Sequence, residues 1–176
     1  MKHFAQVALI ISLSFLITIP AGTVMAGNDD KTYVYGELLR QYVKDGRVDY
    51  AGFKEKEVQL DTYLDYLAKT NPAQMEEKDR FAFYVNAYNA YTIKLILKNF
   101  DNGQPPGSIK DIGSFFSKPW SIKFVKIGGE IYTLDNIEHD ILRPVFKDAR
   151  VHFAVNCASK SCPPLISTPY SGTILD

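Results

Sequence analysis

Apolar positions recur along this chain with two different periods, and each period predicts its own kind of element. Between Tyr33 and Val43, the residues Val34, Leu38, Leu39 and Tyr42 fall at helical spacing, so a short helix is expected after a flexible leader at Asn28 to Lys31. Asp45-Gly46, within KDGRVDYAGF, signals a turn before a short extended piece. Leu60, Tyr63, Leu64 and Leu67 predict a second helix. Asn71-Pro72 ends it, because a residue preceding proline is pushed out of the helical region.

EEKDRFAFYVNAYNAYTIKLILKNF carries the strongest helical signal. Glu76, Glu77 and Asp79 stand at its start and Lys94 and Lys98 near its end, the charge order that a helix dipole favours. Between them the stretch is apolar almost all the way round, which predicts a central, buried helix. Asn86 and Asn89 interrupt it on one stripe with Ala82, Ile93 and Ile96. A buried side-chain amide needs partners for its donors and its acceptor, so the two asparagines imply a polar counterpart: the segment around His139 or the loop around Cys157.

Downstream the period shortens. DNGQPPGSIKDIGSFFSKPW reads as a loop pinned by its aromatics. Ile122, Phe124 and Ile127 precede Gly128-Gly129, and Ile131 and Leu134 follow, which predicts a hairpin. Asp135 suits the N-cap of a short helix over NIEHDILRPVF that Pro144 ends. In ARVHFAVNC, Val151, Phe153 and Val155 alternate with His152, Ala154 and Asn156, which predicts a strand leading into a cysteine loop. Together these elements predict one domain of α+β or α/β class, a central buried helix packed on a small, partly antiparallel sheet.

The N-terminus changes the inventory. MKHFAQVALIISLSFLITIPAGTVMA combines a short basic start, an apolar run from Val7 to Ile19, and small residues at Val24 and Ala26, the pattern of a cleaved secretory signal. The run is short for a bilayer span, and no stop-transfer charge cluster follows it. The expected organisation is therefore a signal over 1–26 and a globular domain over 27–176, exported to the periplasm or beyond, with no stable membrane insertion after cleavage. The full chain holds 20 basic and 20 acidic side chains; losing Lys2 leaves 19 against 20, a balance that argues against nucleic acid as a partner. His3 leaves as well, so imidazole chemistry falls to His139 and His152, and thiol chemistry to Cys157 and Cys162.

Three blocks in order, RFAFYVNAYNAYTIKLIL, YTLDNIEHDILRP and VHFAVNCASKSCPPL, resemble the domain of unknown function 547 family, found in exported bacterial proteins and in plant and animal multidomain proteins. The resemblance runs from about Leu60 to the C-terminus. Positions matching the family motifs are Asn86, Asn89, Glu138, His139, Arg143, His152, Asn156, Cys157, Ser161, Cys162 and Pro163. The resemblance says little about activity. Family domains continue past the Cys-Pro-Pro block, so it implies a chain cut short at its C-terminal end.

The last block concentrates the candidate chemistry, and three readings compete for it. A disulfide between Cys157 and Cys162 suits an oxidising compartment and closes a short loop. A thiol nucleophile would instead pair Cys157 with His139 as base and with Asn86 or Glu138 as orienting group, serving a hydrolase or transferase that acts on peptide or amide bonds. On a strand His152 and Cys157 face opposite ways, which favours His139. Glu138 and His139 are themselves about 100° apart on a helix, so they do not share a face. A zinc site from His139, His152, Cys157 and Cys162 has suitable ligand types, but its spacing fits no common ligand pair, and the sequence calls for no metal and no cofactor. The alternative to an enzyme is a non-catalytic binding module of the cell envelope, with a stapled loop and with Asn89, His152, Asn156 and Ser161 facing a small-molecule or peptide ligand. The signal pattern generates the first prediction: N-terminal sequencing of exported material starts near Gly27, whereas Met1 retained in a membrane fraction would refute it.

Overall fold

A helix that is apolar on every face must be enclosed by other elements, and the domain is arranged around that requirement. The computed structural model describes residues 28–113, 118–159 and 161–173. The expected signal at 1–26 and the loop aromatics Phe115 and Phe116 lie outside the described residues. Helices α1 (Asn28–Tyr42), α2 (Tyr50–Glu55), α3 (Glu57–Lys69) and α4 (Glu77–Lys98) form the body, with α1 against α3, and both α2 and α3 against α4. In α4 the run from Phe81 to Val85 and from Ala87 to Ile93 is buried but for Tyr84, and Asn86 is buried with it. Tyr35 of α1 stacks on Tyr63 of α3 with ring centroids 4.4 Å apart. Lys94 of α4 reaches Glu57 at 2.7 Å and Asp61 at 2.5 Å, tying α4 to α3 through a mostly buried ammonium.

Two antiparallel hairpins complete the class as α+β. The first pairs β1 (Val43–Lys44) with β2 (Arg47–Val48) around the Asp45-Gly46 turn. The second pairs β3 (Val125–Ile127) with β4 (Glu130–Tyr132), with Val125 opposite Tyr132. Gly128 and Gly129 both take positive φ, as a tight hairpin turn requires. Their N–H groups donate to the carbonyls of Leu67 and Ala68 at 3.3 and 2.9 Å, satisfying acceptors that the end of α3 leaves open. The Tyr91 hydroxyl donates to the Lys126 carbonyl at 2.9 Å, so the hairpin is held by α4 as well.

Four expectations need correction. Asn28 to Lys31 is the first turn of α1, not a leader. The sheet is two separate two-stranded ribbons, so α4 packs chiefly on helices. Asp135 does not cap a helix: its carboxylate takes the Ser121 hydroxyl at 2.6 Å, while Thr133 and Asn136 cap each other reciprocally. A π-helix (Asn136–Leu142) follows and runs directly into α5 (Arg143–Phe146). Pro144 falls in the first turn of α5, where a missing N–H goes unnoticed, and the helix continues past it.

The fourth correction concerns the expected strand at Val151 to Asn156, which is the single helical turn α6 (Val151–Ala154). Its residues fit both periods. Val151, Ala154 and Val155 are i, i+3 and i+4, a helical stripe, and all three are buried, while His152 and Phe153 are exposed. Asp148 starts the turn by accepting from the Arg150 N–H at 2.8 Å. No neighbouring strand offers a ladder among the described residues, so the helical alternative prevails.

Tyr35 provides a test of this packing. It is buried, and among the described residues its hydroxyl meets no hydrogen-bond partner. Removing an unpaired buried polar group relieves its desolvation penalty, so Tyr35→Phe should stabilise the domain by about 1 kcal/mol in urea unfolding. A destabilised variant would show that the hydroxyl is bonded.

Candidate functional site

One polar stripe runs along α4 from its exposed first turn onto its buried surface. Asp79, Asn86 and Asn89 lie seven and three residues apart, close to one line along the helix axis. Each holds backbone of the C-terminal stretch, which runs along α4 in the opposite direction. Asp79 Oδ1 accepts from the Gly172 N–H at 3.2 Å. Asn86 makes a two-way pair with Tyr170: its Nδ2 donates to the Tyr170 carbonyl, and its Oδ1 accepts from the Tyr170 N–H, both at 2.8 Å. Asn89 does the same across Val155, donating to the Ala154 carbonyl at 2.9 Å and accepting from the Asn156 N–H at 2.8 Å. Asn86 and Asn89 are 5% and 2% exposed, the buried amides that the sequence implies; Asn89 meets the approach to the Cys157 loop as expected, whereas Asn86 meets Tyr170 in place of that loop or the His139 segment. A side-chain amide has one donor face and one acceptor face, as a peptide unit has, so each asparagine stands in for one residue of a missing strand.

Asn89 delivers the chain into the cysteine loop, and Asn156 shapes that loop. Asn156 Oδ1 accepts from the Ala158 N–H at 3.0 Å, and its Nδ2 donates to the Pro163 carbonyl at 2.7 Å, across the loop. Cys157 and Cys162 form a disulfide, with Cα atoms 5.9 Å apart. Inside the ring, the Cys162 N–H donates to the Ser159 carbonyl at 3.0 Å, and the Ser159 and Ser161 hydroxyls lie 3.3 Å apart. The β1–β2 turn backs the loop from behind. A Cβ placed on Gly46, whose φ is +74°, would lie 2.2 Å from Cβ of Pro164, so only glycine allows this approach.

The second motif block packs on α4, and there Tyr88, one residue before Asn89, is buried near the Glu138 carboxylate of the π-helix. Burial, and then the Glu138 carboxylate, push the Tyr88 hydroxyl far above its ordinary pKa. Arg143 closes the group, with Nη2 and Nε at 2.6 and 3.2 Å from Glu138 Oε1. Glu138 is thus held by the Arg143 guanidinium, an ion pair that ties the π-helix to the start of α5. A cleft of about 360 Å³ opens beside the Asn86–Tyr170 pair, walled by Tyr63, Tyr66 and Phe83, with Glu76 and Asp79 at its edge.

The residues proposed from sequence therefore separate into groups. Asn89, Asn156, Cys157, Ser161 and Cys162 come together in one loop assembly. Asn86 serves the Tyr170 segment, and Glu138 serves Arg143. His139 is exposed on the π-helix and His152 is exposed on α6. The disulfide takes up both sulfurs, which leaves neither the thiol nucleophile nor the zinc reading a thiolate. Tyr170 escaped the sequence reading, because it acts through its backbone on a partner far along the chain, and Gly46 was read as a turn without its approach to Pro164.

A family model described as "Protein of unknown function, DUF547" matches residues 72–176, more than half of the chain. No curated protein and no solved structure matches it. The stripe generates a prediction. Asn89→Ala leaves the Ala154 carbonyl and the Asn156 N–H without partners, and should lower unfolding stability by roughly 2 to 4 kcal/mol. The double variant Cys157→Ser/Cys162→Ser opens only a short ring and should lose about 2 kcal/mol or less. Equal losses would deny the asparagine its leading part.

Proposed function

The chain belongs to the DUF547 family, and we propose that it acts as a non-catalytic binding module of the cell envelope that presents the Cys157–Cys162 loop to a peptide or small-molecule ligand. The observation that carries this reading is the double closure of the loop, by the disulfide and by the Asn156–Pro163 hydrogen bond. A loop held this way loses little conformational freedom on binding, so contact energy is not spent on ordering it. Phe153 stands at its entrance with 74% of its surface exposed, although Val151, Ala154 and Val155 beside it are buried. A solvent-facing aromatic on a rigid turn is the kind of side chain that anchors an interface. Ser159 and Ser161 add hydroxyls that can meet backbone groups of a bound peptide.

The enzyme reading assigns Cys157 as nucleophile, His139 as base, and Glu138 or Asn86 as orienting group. It requires a reduced Cys157, whereas the sulfur is bonded to Cys162. It also requires Glu138 or Asn86 to face an imidazole, whereas Glu138 is engaged by Arg143 and Asn86 by Tyr170.

Two measurements decide between the readings. Thiol titration of the isolated protein, in native buffer and in denaturant without reductant, should find no free thiol. A displayed peptide library should yield binders that Phe153→Ala loses while its melting curve is retained. If the reduced chain instead cleaves or transfers peptide or amide bonds, and Cys157→Ser abolishes this with the fold intact, the binding-module reading fails.

A further inference from the structure

The cysteine loop is held by more than its sulfur bridge. The Asn156 side chain already closes the chain over the same stretch by donating to the Pro163 carbonyl at 2.7 Å. Its other face fixes Ala158, whose φ of 56° turns the chain back, and the Cys162 N–H is engaged by the Ser159 carbonyl at 3.0 Å. On one side Asn89 grips Ala154 and Asn156, and on the other Pro164 rests on the Gly46 turn. Pro163 and Pro164 stiffen the segment leaving Cys162. With both flanks fixed, the two cysteine Cα atoms are held 5.9 Å apart by contacts that do not involve the sulfurs. The bridge spans only five positions, so it constrains little of the unfolded chain.

A bridge that the fold does not need is free to open and close. Access is present too: Cys157 and Cys162 are both partly exposed, and Ser161 beside them is exposed. We propose that Cys157–Cys162 is an exchange-competent disulfide that accepts two electrons from a dithiol, most directly a pair of cysteines on an extended polypeptide segment. The partner's thiolate attacks one sulfur of the bridge. The Cys157–Cys162 bond breaks, a mixed disulfide forms, and the departing cysteine leaves as a thiolate that takes up a proton. The partner's second thiolate then attacks the mixed disulfide at the partner's own sulfur. This releases the loop as a dithiol and the partner as a disulfide, so the partner is oxidised and the loop reduced, with both protons passing from the partner's thiols to the cysteines. The reverse path carries the electrons from the reduced loop to a polypeptide disulfide. This inference stands apart from the binding-module reading, since exchange at the bridge needs no contact with Phe153.

The test uses the full chain with dithiothreitol and insulin as probes. Dithiothreitol in native buffer should reduce the bridge completely, giving two alkylated cysteines by mass spectrometry, while the melting transition survives. Glutathione disulfide should then restore the bridge, several-fold more slowly in Asn156→Ala, whose frame is cut. With dithiothreitol as electron source, catalytic amounts of the protein should accelerate insulin reduction at least several-fold, and Cys162→Ser should not. Protein that has been reduced and alkylated beforehand supplies the same control without a substitution. A bridge that resists dithiothreitol until denaturant is added, a fold that collapses on reduction, or insulin reduction no faster than with dithiothreitol alone would each overturn the proposal.

Discussion

The hydrogen bonds that α4 makes through its buried asparagines set the terms for the rest of the domain. The C-terminal stretch has no strand neighbour along Ala154 to Tyr170 among the described residues, so its backbone groups cannot be satisfied by a ladder. Asn86 and Asn89 supply that ladder one residue at a time, from a helix. Burying an amide without partners would cost roughly 1 to 3 kcal/mol, and the same is true of the carbonyls and N–H groups it meets, so each pairing resolves two problems at once. This explains how a helix with a core-like surface tolerates polar residues at its centre.

From that constraint the geometry of the loop follows. Asn89 fixes where Asn156 lies, and Asn156 in turn fixes Ala158 and Pro163. The disulfide then joins two residues already brought together. The Glu138–Arg143 pair works in parallel, in a π-helix that packs on α4. A π-helix widens the backbone spiral and is seldom retained without a local reason. Here the reciprocal Thr133–Asn136 cap starts it and the Glu138–Arg143 pair ties it to α5.

Several parts of this arrangement were legible in the chain alone. The apolar surround of α4 predicted a buried central helix, and the two asparagines in it predicted polar partners, because a buried amide has no other stable fate. Gly128-Gly129 predicted the hairpin, since positive φ at both positions is nearly a glycine property. The short cysteine spacing left a disulfide as one of three readings, and that one is formed.

Other parts were decided only by the tertiary structure. The residues from Val151 to Asn156 fit strand and helix alternation equally, and what decided between them was whether an edge was available to pair with. Asn86 finds Tyr170 and not the cysteine loop, because partner choice depends on where distant segments cross α4. His139 stood beside Glu138 in the sequence, yet the turn of the π-helix leaves the imidazole exposed while Glu138 is drawn to Arg143. Periodicity and amide chemistry are local properties and are written residue by residue. The identity of a hydrogen-bond partner far along the chain is not, because it is set by packing that the whole domain must satisfy together.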